Sequence, residues 1–214
     1  MKTPWWRGAI LHYGWRVKTS ITSPSAPPAT RLPDFGGHPK HFVLDQIVTV
    51  KGHGKLEIRP IRLDDEQEMI RFHERISEES IYMRYFEYLG LDRRTSHERL
   101  VRICANTSES LAVVVERPAA SHHLAAILAV GRLTKTSEPY VATFDTLMTD
   151  GENATQLGKV LLNRLVKLAH AFGFQVLTGE LLVADHDNLN LCRALGFSLQ
   201  TLPEDGLVRV TLDL

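Results

Sequence analysis

The forty-four residues from Tyr140 to Val183, YVATFDTLMTDGENATQLGKVLLNRLVKLAHAFGFQVLTGELLV, constrain the fold more than any other part of the chain. YVATFDTLMT and QVLTGELLV are rich in β-branched and apolar residues and read as strands. Between them, Leu157, Leu161, Leu162, Leu165, Val166, Leu168, Ala169 and Phe172 recur at helical spacing, and Gly173 follows where a C-terminal cap belongs. A helix joining two strands of one sheet brings them side by side in parallel, with a right-handed crossover. The polar stretch Asp150–Asn153 before the helix has two readings. It is a phosphate cradle at a helix N-terminus, or only a loop leading into a helix.

The segments on either side extend the pattern. KLEIRPIR (Lys55–Arg62) alternates apolar and charged residues and reads as a half-buried strand. LDDEQEMIRFHERI follows as a helix with acids at its start and apolar positions at Met69, Ile70, Phe72 and Ile76. EESIYMRYFEYL is expected to stack Ile81, Tyr85 and Tyr88 on one helical face. TSHERLVRIC opens with Thr95 and Glu98 at capping-box spacing. LAVVVER and HLAAILAVGRL then read as strands before YVATFDTLMT, and DNLNLCRAL as a helix closed by Gly196. FSLQTL and LVRVTLDL form a closing hairpin around PEDG. The order β-α-α(α)-β-β-β-α-β-α-β-β predicts an α/β (α+β) fold, a mixed and mostly antiparallel sheet with helices on both faces.

Composition narrows the function. Lys plus Arg and Asp plus Glu are 25 each, giving no net charge, and this argues against nucleic acid as the main partner. No apolar run approaches the roughly 18 residues of a membrane span. Cys104 and Cys192 stand far apart and outside any CxxC pattern, which fits a reducing, cytoplasmic setting. The closest histidine sets, His38-x-x-His41 and His122-His123, lack a nearby thiol or carboxylate at ligand spacing, so no metal is expected.

Residues 1–37 differ from the rest. The first 33 carry five Lys or Arg and no acid, and they end in the Pro/Ser-rich SPSAPPATRLP. The favoured reading is a flexible extension and linker; an organelle transit peptide is the other. Trp5, Trp6 and Trp15 suggest an apolar cover, such as a second subunit of a homodimer. Residues 38–214 make the folded domain.

Four pieces in order, LEIRPIRLDDE, ISEESIYMRYF, LMTDGENATQLGKVLL and NLNLCRALGF, resemble the GNAT superfamily of acyl-CoA-dependent N-acyltransferases. HPKHFVLDQIVTVKGHGKLEIRPIR looks like the lead-in of the subgroup found in bacterial protein lysine acetyltransferases and fused to acyl-CoA synthetases. The resemblance covers about residues 38 to 214. It implies transfer of an acetyl group from acetyl-CoA, as co-substrate, to an amine or a protein lysine by direct attack. It also implies that the fourth and fifth strands of the predicted order splay apart.

That likeness assigns the pantetheine arm to Leu147, Met148 and Thr149. The family's Q/R-x-x-G-x-G/A loop falls on Asn153, Ala154, Thr155, Gln156, Leu157 and Gly158, with Lys159 adding a polar contact. Gln156 replaces the middle glycine, and a positive φ there would cost on the order of 1 kcal/mol. Thr143 stands where the subgroup has its usual basic glutamate, which leaves Asp145 and Glu180 as candidate bases. Cys192 takes the place of the family's tyrosine acid. Asp185 and Asn188 fall near the pantetheine, and Tyr82, Arg84 and Tyr85 are expected to line the acceptor pocket. The altered loop, base and acid together raise an alternative: a non-catalytic acyl-CoA-binding or regulatory domain of the same fold.

Overall fold

The computed structural model describes residues 32–37, 44–121, 124–151, 154–202 and 206–214. The N-terminal tryptophans, both histidine sets, Asn153 and most of the PEDG turn lie outside the described residues. Residues Leu32–Leu214 form one compact unit.

Eight strands make a single sheet: β1 (Gln46–Val50), β2 (Gly54–Pro60), β3 (Ser110–Arg117), β4 (Ala126–Lys135), β5 (Val141–Met148), β6 (Val176–Leu182), β7 (Ser198–Leu202) and β8 (Leu207–Asp213). Their spatial order is β1-β2-β3-β4-β5-β6-β8-β7, and every neighbouring pair is antiparallel except β5 and β6. The parallel pair is joined by α5 (Ala154–Ala171), as the strand–helix–strand pattern requires. Strand β1 is the element that sequence periodicity passes over. It is a mostly exposed edge strand, closed onto β2 by a turn with Gly52 and Gly54 at φ 84° and 75°.

Helices α1 (Glu66–Glu74), α2 (Glu78–Tyr85), α3 (Leu91–Arg94) and α4 (His97–Cys104) connect β2 to β3, and α6 (His186–Ala194) connects β6 to β7. Two cores result, one on each face of the sheet. Helices α1, α2 and α4 bury Met69, Phe72, Ile81 and Leu100 against Ala112, Val114, Ile127 and Leu147. On the other face, Leu157, Leu161, Leu165 and Leu168 of α5 pack with Leu189 and Cys192 of α6 on Val113, Leu133, Phe144 and Leu177. Phe35, inside the stretch expected to be linker, also packs here, its ring 5.1 Å from those of Phe172 and Phe174.

Two helix boundaries differ from the sequence expectation. Helix α2 stops at Tyr85 because Phe86 adopts a left-handed conformation and its N–H bonds Tyr82 O. Tyr88 therefore leaves the helical stripe and stacks on Tyr82, with centroids 4.8 Å apart. Thr95 does not cap α4; it closes α3, with its hydroxyl on Leu91 O, and Ser96 takes the N-cap position.

Candidate functional site

The parallel pairing of β5 with β6 ends early. Only Val141↔Val176, Ala142↔Leu177 and Thr143↔Thr178 are in register, and beyond them the strands diverge. Phe144 stands at the apex. Its side chain shares a face with Gly179, where a Cβ would lie 2.8 Å from the Phe144 ring. The ring is backed by Phe197 at 5.5 Å. A large side chain thus occupies the place where a continued pair would pack, and the glycine makes room for it.

Divergence leaves backbone groups without a ladder partner. Thr136 N–H bonds Val141 O, and Thr149 N–H bonds Leu128 O, in an unbroken β4–β5 register. Antiparallel pairing alternates, so the odd-numbered residues from 141 to 149 bond towards β4, and the N–H and C=O groups of Thr146 and Met148 face the opening. Of the three residues expected along the pantetheine, Met148 turns its backbone to the cleft. Leu147 and Thr149 turn theirs to β4, and the Leu147 side chain is buried with the α1–α4 layer. Sequence reasoning misses Thr146, because counting residues back from the loop does not assign the alternation.

At the mouth of the opening, α5 presents its N-terminus. Ala154 N–H bonds Gly151 O, while the N–H groups of Thr155 and Gln156 belong to a first turn with no intrahelical acceptor. That turn carries no acid, and the eighteen-residue helix adds its dipole. Gln156 is exposed and helical; among the described non-glycine residues only Phe86 and Tyr140 have positive φ. The strain expected of a side chain at this position is therefore absent. Leu157 and Gly158 are buried and Lys159 is exposed. At Gly158 a Cβ would come within 3.2 Å of both Met148 Cε and Leu191 Cδ2, so the glycine serves close packing of α5 on β5 and α6.

The opposite face of the same cleft carries the charged groups. Asp145 and Glu180 each lie two residues beyond the last pair, Thr143↔Thr178, at one level on the two diverging strands and on one face. Each is held by an arginine. Arg84 Nη2 of α2 is 2.6 Å from Asp145 Oδ1, and Arg209 Nη2 of β8 donates to Glu180 Oε1 at 2.8 Å. All four side chains are largely shielded from solvent. The guanidinium groups of Arg84 and Arg99 each lie 4.9 Å from the centre of the Tyr85 ring, which belongs to the packed α2 layer. Tyr82 and Tyr88 form the more open aromatic pair.

Cys192 is 1% exposed and sits in the core beneath α5. Burial, with the Asp185 carboxylate adding in the same direction, pushes its thiol up to about 12. Asp185 is the N-cap of α6: its carboxylate accepts from Asn188 N–H at 3.3 Å and from the Asn188 side-chain amide at 2.9 Å. Asp185 and Asn188 thus satisfy one another at the helix start. Among the described residues, no group of three His, Cys, Asp or Glu could hold a metal ion, and no helix is long and apolar enough to cross a membrane.

No protein-family model matches the sequence. The fold, by contrast, is shared with solved acetyltransferase structures, and the chain has the GNAT fold. It is similar to the GNAT domain of S. lividans PAT, with a TM-score of 0.71 and 22% identity over 83% of this chain and 100% of that one. A GNAT-family acetyltransferase from Streptococcus pneumoniae matches 74% of this chain and 99% of its own, at a TM-score of 0.55 and 14% identity. A point mutant of a cAMP-binding acyltransferase from Mycobacterium smegmatis matches 79% of this chain over 47% of its own length, with a TM-score of 0.51 and 16% identity.

Proposed function

We propose that the chain is an acyl-CoA-dependent N-acyltransferase that passes an acetyl group from acetyl-CoA to an amine, with a protein lysine as one candidate acceptor. The observation that carries this reading is the opening between β5 and β6. It has unpaired backbone groups along one wall, at its mouth a helix whose first turn carries no acid, and two carboxylates on its far face. A pantetheine arm needs backbone donors and acceptors along an extended path, and a pyrophosphate needs N–H groups at a helix start. Thr146 and Met148 supply the first; Thr155 and Gln156 supply the second, with the exposed Lys159 one turn along the helix. A cytoplasmic protein acting without a metal, as a monomer or a homodimer, is consistent with this chemistry.

In the reaction, the amine nitrogen attacks the thioester carbonyl, the C–S bond breaks, and the thiolate leaves while an amide forms. The ammonium must first lose its proton, and the thiolate must gain one. We assign the first proton to Asp145 or Glu180, the two carboxylates at one level on the far face of the opening. Cys192 is too weak an acid and too deeply packed to supply the second, which falls to water or to the proton taken from the amine.

A second reading rests on the same pairs. With both carboxylates tied to arginines and no acid at Cys192, the fold also suits a non-catalytic acyl-CoA-binding or regulatory domain. Calorimetry with acetyl-CoA followed by thiol release over an amine panel separates the two. Binding with turnover supports the transferase, and binding without turnover supports the regulatory domain. Absence of heat at millimolar ligand refutes both. Asp145→Asn and Glu180→Gln then identify the base, and turnover surviving both removes them from that role.

A further inference from the structure

Asp150 lies between the end of β5 and the turn at Gly151 (φ 141°) that leads into α5. Its carboxylate holds the start of α2. Ser77 N–H donates to Oδ2 at 2.6 Å, Ser77 Oγ–H donates to Oδ1 at 3.1 Å, and Ser80 Oγ–H also donates to Oδ1. Ser77 is itself the N-cap of α2 and accepts Ser80 N–H at 3.2 Å. One carboxylate therefore collects three donors from a helix start 70 to 73 residues away in sequence. At the other end of α2, Arg84 is 2.6 Å from Asp145 of β5. The helix is fastened at its end to β5, whose free edge lines the cleft, and at its start to the segment that follows that strand.

These contacts at the N-terminus of α2 are exposed, so their share of global stability is modest. Ile81 is the only fully buried residue of α2. A helix with so small a buried face sits at the low-stability end of the fold and responds readily to its anchors. What the Asp150 contacts fix is where α2, with Tyr82 and Arg84, stands over β5.

We propose that Asp150 is a positioning residue that couples occupation of the α5 N-terminus by the nucleotide end of an acyl-CoA to the placement of α2 over the acceptor side. The inference rests on the acyl-CoA reading above. Ala154 N–H bonds Gly151 O, so a ligand held by the Thr155 and Gln156 N–H groups also steadies the turn next to the carboxylate on which α2 is capped.

Hydrogen exchange read by mass spectrometry, on the full chain with and without CoA, tests it. In the wild type, CoA slows exchange at the start of α5 and also in residues 78–86, the latter by about fivefold or more, the lower end of ordinary coupling factors. In Asp150→Ala the α5 response remains and the α2 response is lost. Asp150→Asn keeps part of it, since its carbonyl oxygen still accepts Ser77 N–H. Ser80→Ala, which leaves the Ser77 cap in place, loses part of it and serves as the test should Asp150→Ala fail to fold. Equal slowing of α2 in wild type and Asp150→Ala overturns the proposal, as does protection of α5 without α2 in the wild type. Absence of any CoA effect on wild-type α5 overturns the acyl-CoA reading, and this proposal with it.

Discussion

Gly179 of β6 faces the Phe144 ring so closely that a methyl group on its α-carbon would lie 2.8 Å from Cε1 and 3.0 Å from Cζ. The ring has little room to retreat, being 7% exposed and packed against Phe197. Gly179 does not have positive φ, so alanine there tests space rather than backbone strain. Gly179→Ala is expected to cost about 1–3 kcal/mol, the usual range for overpacking, and to weaken acyl-CoA binding by displacing the ring at the apex of the opening. Chemical denaturation and calorimetry check the two effects. A variant of wild-type stability and affinity would show that the Phe144–Gly179 contact does not hold the strands apart.

Arg84 and Asp145 form a second relationship with a measurable consequence. Asp145 lies opposite Arg132 in the β4–β5 register, so its carboxylate answers more than one guanidinium on that face. Removing it leaves Arg84 and Arg132 near one another in a largely shielded place. Asp145→Asn should destabilise by about 1.5–3 kcal/mol, as loss of a hydrogen bond to a charged group does. Arg84→Gln in the Asp145→Asn background should cost less than in the wild type, with a coupling energy of about 0.5–3 kcal/mol. A double-mutant cycle by urea denaturation measures it, and additive costs would mean that the pair is incidental.

Gln156 offers a test of the loop itself. It sits in the first turn of α5 with an ordinary helical backbone, so a glycine there has no strain to relieve. Gln156→Gly is expected to lower stability by up to about 1 kcal/mol through added freedom of the unfolded chain. A rise in melting temperature would show instead that the side chain is accommodated under strain.

The strand–helix–strand unit, both faces of the sheet and the apolar stripe of α5 were legible because hydrophobic periodicity reports burial. Leu157, Leu161, Leu162, Leu165, Leu168 and Ala169 are all buried as their spacing implied. Strand β1 was not legible, since an edge strand with exposed Gln46 and Ile47 buries too little to leave a pattern. Nor was the early end of α2: Phe86 in a left-handed conformation is outside any propensity rule. The charged face was legible in residue type but not in partnership. Asp145 and Glu180 stood out as lone acids on strands, yet Arg84 and Arg209 reach them from α2 and β8, and sequence distance conceals both contacts. The Asp150–Ser77 tie was hidden for the same reason.

Stability should fall in acid through two groups with separate pH windows. His73 is 1% exposed, and neither ring nitrogen has a hydrogen-bond partner. Burial, then the positive charges of Arg94 and Arg99, bring it down to about 4 from an ordinary 6.5. The unfolded chain thus takes up a proton at His73 before the folded one, and stability declines as pH falls from 6.5 towards 4. Asp65 acts below that window. Burial alone would raise its carboxyl, but the Arg59 guanidinium, donating to both its oxygens at 2.7 and 2.8 Å, and Arg62 N–H hold it below the usual aspartate range. Its contribution is present above pH 3.8 and is lost as pH falls through its lowered value. His73→Leu removes the first window and a buried unsatisfied group, so it should gain about 1–3 kcal/mol at neutral pH and more at about pH 5. Arg59→Met should lose about 3–5 kcal/mol at about pH 7, because the buried Asp65 carboxylate loses its guanidinium partner and keeps only the Arg62 N–H, and it should lose less in acid as Asp65 becomes neutral. Thermal melts of the three proteins from about pH 3 to 8 check the signs, and a His73→Leu profile parallel to wild type between pH 6.5 and 4 would clear His73 of any part in acid sensitivity.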